Sequence, residues 1–166
     1  PGLTQIPLTT IDKTRSVGEL QMMGVKADPL PGGGGRTTRR IIDAGRIMLA
    51  ADILGAGTAM IQQAVAYAGT RVQFGRPIGS FQAVKHMCAE MAAALEPCRS
   101  LVWYAAHAFD HAPDESTLMA CHAKSHLSEV GRFVARTRSI NSCLAMVFRV
   151  SPSRMSSSGK FVVYPP

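Results

Sequence analysis

The amino-acid sequence predicts a mainly α-helical chain: an incomplete up-down helical bundle preceded by a short β-strand remnant. Three observations carry that prediction. From Arg36 onward, apolar residues recur every three to four positions. Before that point the segments are short and β-branched, and a glycine-rich run, Pro29 to Gly35, separates the two regimes. With 46% hydrophobic and 17% charged residues over 166 positions, the chain has apolar material for one sizeable core.

Taken in order, residues 3–11 (LTQIPLTTI) and 17–26 (VGELQMMGVK) read as strands. Pro7 lacks an N–H and favours an edge position, and Gly24 breaks the second strand. PLPGGGG lacks the Lys-Ser/Thr of a phosphate loop, so it reads as a hinge between a remnant domain, 1–35, and a helical domain, 36–141. In the first helix Ile47, Ala51, Leu54, Thr58, Ile61, Val65 and Ala68 form one stripe. From Ile53 to Thr70 there is no charge and apolar residues lie all round, which calls for burial on more than one side, by other helices or by another chain. Ser80 reads as the N-cap of a second helix ending near Ala112, with a kink at Pro97. Residues 112–116 break the chain, and a third helix runs from Asp114 to about Ser139. Beyond Ile140 the period fails, so 142–166 reads as an irregular tail with at most a short strand at Phe161 to Tyr164.

The net charge of +7 is unevenly spread. Up to Glu129 there are 12 basic and 11 acidic residues, and six basic residues follow. A basic excess confined to the C-terminal part, with few aromatics for stacking, argues against a nucleic-acid-binding domain. No apolar run is expected to span a membrane, and the N-terminal residues have neither the basic start nor the apolar core of a signal peptide. The chain begins without Met and reads as a piece of something longer. Cys88, Cys98, Cys121 and Cys143 show no CxxC pattern and are expected to be free thiols in a reducing, cytoplasmic compartment (the mitochondrial matrix in a eukaryote). His107/His111 and His122/His126 have i, i+4 spacing, but no third ligand pattern supports a metal site.

The stretch GTRVQFGRPIGSFQAVKH, Gly69 to His86, concentrates binding chemistry between two apolar helices. Gly75 and Gly79 permit tight backbone geometry and Pro77 stiffens it. An arginine beside an amide and an aromatic suits a planar ligand bearing phosphates, with the guanidinium on a phosphate and the ring covering an apolar surface. The same residues also suit a plain structural role, in which Phe74 and Phe81 plug the end of the bundle and the arginines are solvated.

Residues 67–110 resemble the C-terminal helical domain of the acyl-CoA dehydrogenase family. Arg71, Phe74-Gly75, Pro77-Ile78, Phe81-Gln82 and Ala89-Glu90-Met91 stand at the family's spacing. The resemblance extends back to TTIDKTRSVGELQMMGVKAD, similar to the end of the family's middle β-domain, and forward to about Asn141, which is less than half of a typical member. It implies FAD bound across a dimer interface, with Arg71 on the pyrophosphate, Gln73 and Phe74 beside it, and Phe81 and Gln82 at a second nucleotide contact. Asp43 and Arg46, three apart on one helical face, would line the acyl-CoA pocket, or form no more than an intrahelical ion pair. The implied activity is FAD-dependent α,β-dehydrogenation of an acyl-CoA thioester, with a homo-oligomer or a homologous subunit as partner.

The sequence also departs from the family. Ile140-Asn141-Ser142-Cys143-Leu144 stands where a Gln-x-His-Gly-Gly FAD contact is expected, and Gly45 stands where some members carry the catalytic Glu. Asp43 is at most a weak substitute for that base, so no catalytic residue is assigned and the chain alone is expected to be inactive. Arg76, to which no family contact maps, is expected to be a solvated charge. The alternative reading is a non-catalytic helical oligomerisation module, a truncated or degenerate copy of the family.

Overall fold

A computed structural model describes residues 2–11, 16–29 and 31–147, with side chains described as far as Ser139. Cys143, the residues in the place of the Gln-x-His-Gly-Gly contact, and the strand expected at Phe161 to Tyr164 lie outside these described side chains. The chain divides into two compact units, Pro1–Thr38 and Arg39–Pro166.

The first unit holds an antiparallel hairpin of β1 (Leu3–Leu8) and β2 (Val17–Met22), in register from Leu3 opposite Met22 to Leu8 opposite Val17. Both strands are shorter than the sequence predicts. Pro7 faces Gly18 in a two-stranded sheet, where both strands are edges. Every residue of β2 is exposed, and in β1 only Ile6 is half-buried. Such a ribbon has no core of its own, and two strands alone are marginal in water. The Thr37 hydroxyl donates to the Gly32 carbonyl at 2.7 Å, tying the glycine run to the first turn of α1 (Gly35–Thr70).

The second unit contains the rest of α1, the tiny strands β3 (Val72–Gln73) and β4 (Arg76–Pro77), a 3-10 turn at Ile78–Ser80, α2 (Gln82–His111) and α3 (Pro113–Val147). Its core is built from small and medium side chains: Ala50 and Leu54 of α1, Met91, Leu95, Cys98 and Val102 of α2, and Ala123, Leu127 and Val134 of α3. Ala112 alone separates α2 from α3, and its carbonyl accepts from the N–H groups of Glu115 and Ser116. Asp114 and Glu115 occupy the first turn of α3, where the helix dipole favours acids. The Tyr104 hydroxyl donates to Glu115 Oε2 at 2.7 Å across this joint. That hydrogen bond, then the carboxylate charge and some burial, push the phenol pKa up. Arg40 stacks over the Phe109 ring at 4.2 Å and donates to its carbonyl, and Arg138 donates to Gln63 Oε1, so α1 is tied to both partners.

Several expectations are corrected. The buried face of α1 is Asp43, Ala50, Leu54, Gly57, Ala64 and Ala68, so of the predicted stripe only Leu54 and Ala68 are buried. The face rotates toward its smallest residues because they admit close approach: a Cβ on Gly57 would lie 2.9 Å from Leu95 Cδ1. Within this chain one face of α1 is buried, and Val65 and Tyr67 remain exposed. Ser80 does not cap α2. Its hydroxyl donates to the Pro77 carbonyl at 2.7 Å, and Phe81 takes the N-cap position with no side-chain cap bond. α2 spans Gln82–His111 with Pro97 inside it, as expected, while α3 continues to Val147, into the stretch read as irregular. By length and composition alone α1 is long and apolar enough to cross a membrane, but core helices pass the same test and its buried face packs within the bundle, so it is no clear span.

Candidate functional site

Two clusters hold the residues singled out from the sequence. The first is the joint between α1 and α2. It is a two-residue hairpin in which Gln73 pairs with Arg76 and Val72 with Pro77. Phe74 and Gly75 at its tip both have positive φ, +52° and +75°. Two left-handed residues in succession make the turn twist with the flanking strands. The glycine adopts this freely, but a phenylalanine does so only at a cost of about 1–2 kcal/mol. The Phe74 ring is nonetheless 71% exposed, so burial does not repay that cost. Strain held at an exposed aromatic is characteristic of a binding position.

The hairpin is braced from beneath. The Ile78 N–H donates to the Arg71 carbonyl at 2.8 Å, and Ile78 packs with Ala68, Phe81 and Val84. Gly79 lies so close that a Cβ there would meet the Ala68 carbonyl oxygen at 3.0 Å. Phe81 is half-buried in this small cluster, and its ring meets Phe74 edge-on at 6.1 Å between centroids. Arg71 and Gln73 are half-buried on the hairpin, and Gln82 is exposed at the start of α2. Arg76 is not simply solvated: its guanidinium stacks 4.2 Å over the Phe81 ring. Phe81 is thus the more buried of the two rings, while Phe74 stays largely exposed. Phe74→Gly should therefore leave stability within about 1 kcal/mol of the parent, because relief of the left-handed strain offsets the lost edge-on ring contact. Thermal unfolding followed by circular dichroism checks this.

The second cluster lies between α1 and α3. Asp43 is 1% exposed and accepts two hydrogen bonds, from Arg46 Nη1 at 2.8 Å and from the Thr117 hydroxyl at 2.7 Å. Thr117, 74 positions away, was not singled out from sequence, since a lone threonine on a helix carries no motif. Its role becomes visible only through the buried acid it meets. Both carboxylate oxygens are engaged and sealed from solvent, so Asp43 is not placed to take a proton from a bound molecule. Arg46, at 37% side-chain exposure, is the member of the pair that reaches the surface.

Among the described residues no group of three or more His, Cys, Asp or Glu side chains converges as a metal site, and the rings of His107 and His111 simply lie 4.8 Å apart. Burial pushes the Cys88 and Cys98 thiols up, away from reactivity, while Cys121 is exposed.

Comparison with known proteins adds a third line of observation. The family model described as acyl-CoA dehydrogenase, C-terminal domain, matches residues 32–138. Acyl-CoA dehydrogenase IpdE2 of Mycobacterium tuberculosis is 42% identical over 105 residues, covering 61% of this chain and 30% of that protein. The short-chain specific mitochondrial acyl-CoA dehydrogenase of Bos taurus is 42% identical over 76 residues, 46% of this chain and 18% of that one. Among solved structures, the ChsE4-ChsE5 complex from Mycobacterium tuberculosis superposes with a TM-score of 0.77 at 30% identity, covering 86% of this chain and 38% of its counterpart. The chain therefore spans less than a third of the curated relatives it matches.

Proposed function

From the premise that this chain belongs to the acyl-CoA dehydrogenase family, we propose that it serves FAD-dependent α,β-dehydrogenation of an acyl-CoA thioester by presenting the β3–β4 hairpin to the cofactor of a partner subunit. The single observation that carries the reading is Phe74, held exposed in the left-handed region on a braced hairpin between Arg71 and Arg76. A rigid aromatic face beside a guanidinium fits a planar cofactor with a pyrophosphate. Arg71 would pair with the pyrophosphate, Gln73 and Phe74 would border it, and Phe81 with Gln82 would meet the nucleotide portion. Bound FAD supplies the hydride acceptor. Arg46, steadied by the buried Asp43, would form part of the acyl-CoA pocket wall.

The remaining chemistry belongs outside this chain. Removal of the α-proton needs a carboxylate beside the thioester, and Asp43 is already engaged on both oxygens. Assembly with a homologous subunit that carries such a carboxylate would complete the site, in the cytoplasmic setting that the sequence predicts, while a second copy would share the FAD contacts alone. The chain alone would then lack activity.

The test is FAD content and dissociation constant of the chain assembled with a full-length homologous partner. A charge-assisted bond contributes roughly 1.5–3 kcal/mol, so Arg71→Ala should weaken FAD retention about tenfold or more. Arg71→Lys keeps the charge without the planar fork and should recover only part of the affinity. Arg99, in an exposed ion pair with Glu96, is the control whose loss should change little. Equal losses at Arg71 and Arg99 would leave only general electrostatics. No FAD in any assembly would favour the oligomerisation module.

A further inference from the structure

The geometry points to a transition-metal site at the C-terminal end of α2, in which His107 and His111 together chelate one divalent ion such as Cu(II) or Zn(II). The two histidines stand one helical turn apart and are both exposed, with ring centroids 4.8 Å apart at a tilt of 43°. That separation is the one chelation requires. With metal–nitrogen bonds of about 2.1 Å and ring centres roughly 1.1 Å further back, two imidazoles at about 90–110° on one ion place their centroids about 4.5–5.2 Å apart. The pair already stands at that distance.

Two side-chain ligands do not close a structural site, which takes four. They make an open one, in which water or a group from another molecule fills the remaining positions. Tyr104, itself held by Glu115, borders His107 at 6.3 Å between centroids and steadies that ring.

The surroundings suit a cation. Asp110 stands between the two histidines in the chain, and Asp114 and Glu115 follow in the first turn of α3. Arg40 of α1, which reaches this end of the bundle, is held over the ring of Phe109 and by its carbonyl. The carboxylates set a favourable field while the imidazoles supply the bonds. Nitrogen ligands of this kind select late first-row ions over Ca²⁺ and Mg²⁺, which take oxygen, and among those ions Cu(II) binds most tightly. No residue of the β3–β4 hairpin takes part, so this inference and the FAD reading stand or fall separately.

Trp103, the chain's single tryptophan, lies one turn before His107 and is 70% exposed, so it reports on the site. The measurement is its fluorescence as the full chain is titrated with Cu(II), in a Cys121→Ser background that removes the exposed thiol as a competing ligand. The emission should fall saturably. His107→Gln and His111→Gln should each weaken the apparent dissociation constant about tenfold or more, because a second imidazole no longer binds intramolecularly. His122→Gln/His126→Gln, on α3, should leave the Trp103 titration unchanged. Zn(II) should also raise the thermal unfolding midpoint of the parent and not of the His107→Gln/His111→Gln double variant, since the chelate exists only while that turn is helical. All four histidines are exposed, so these variants leave the core intact. Loss of the saturable quenching in the His122→Gln/His126→Gln variant instead, or equal titrations for the parent and the His107→Gln/His111→Gln variant, would overturn the proposal.

Discussion

Asp43→Ala is expected to lower the stability of the helical unit by about 2–4 kcal/mol, a sizeable share of the roughly 5–15 kcal/mol that holds a folded domain together. The carboxylate is sealed from water and accepts one bond from its own helix and one from α3. Deleting it strands the Thr117 hydroxyl and leaves a void between the helices. Arg46 reaches solvent, so its share of the loss is smaller than for a fully buried pair. Thr117→Val should remove one of the two bonds and cost roughly 1–3 kcal/mol, because the acid would then be buried with an unmet oxygen. Urea unfolding followed at the helical circular-dichroism band measures both. A loss below about 1 kcal/mol for Asp43→Ala would show that the acid does not join the two helices.

Leu127→Ala should cost about 2–5 kcal/mol. Leu127 is fully buried on α3 in the cluster that also holds Leu54, Met91, Leu95 and Val102. The remaining core is rich in alanine: Ala50, Ala64, Ala105 and Ala123 already bring the backbones close. A bundle so tightly drawn has little slack to collapse into a new void, which puts the loss toward the upper part of that range. Leu118→Ala on the same helix is the contrast. That side chain is 64% exposed, and its truncation should stay within about 0.5 kcal/mol. The same urea titration separates the two, and equal effects would mean that Leu127 does not occupy the centre of the core.

The helices were legible because each is long and marked by its neighbours. Pro29 to Gly35 announced the change of regime, and Ala112-Pro113 the last turn between helices. Which face of α1 turns inward was not legible, because periodicity weights large apolar side chains. The bundle instead selected glycine and alanine, whose small size admits Leu95. Ser80 looked like a cap by type, but a 3-10 turn intervened and gave its hydroxyl a closer acceptor in the Pro77 carbonyl. The Asp43–Arg46 pairing followed from i, i+3 spacing, which is local information. Thr117 could not be found that way, since its partner lies on another helix. Likewise the left-handed Phe74 carries no sequence mark, because aromatic residues seldom adopt that region and Phe-Gly alone does not require it.

The single residue between α2 and α3 has a consequence for how the chain reaches its native state. With Ala112 as the whole connection, the two helices can meet while the loop they close is almost nil, so little chain entropy opposes that first encounter. Tyr104 and Glu115 sit eleven positions apart and clasp at the very start of that pairing. By contrast Asp43 must find Thr117 across most of the domain's length, with the hairpin and all of α2 intervening. By loop length alone, α2 and α3 are expected to pair before α1 docks on them. The hairpin that carries Phe74 closes over only two residues, so its pairing is local and need not wait for α1 to dock on the pair.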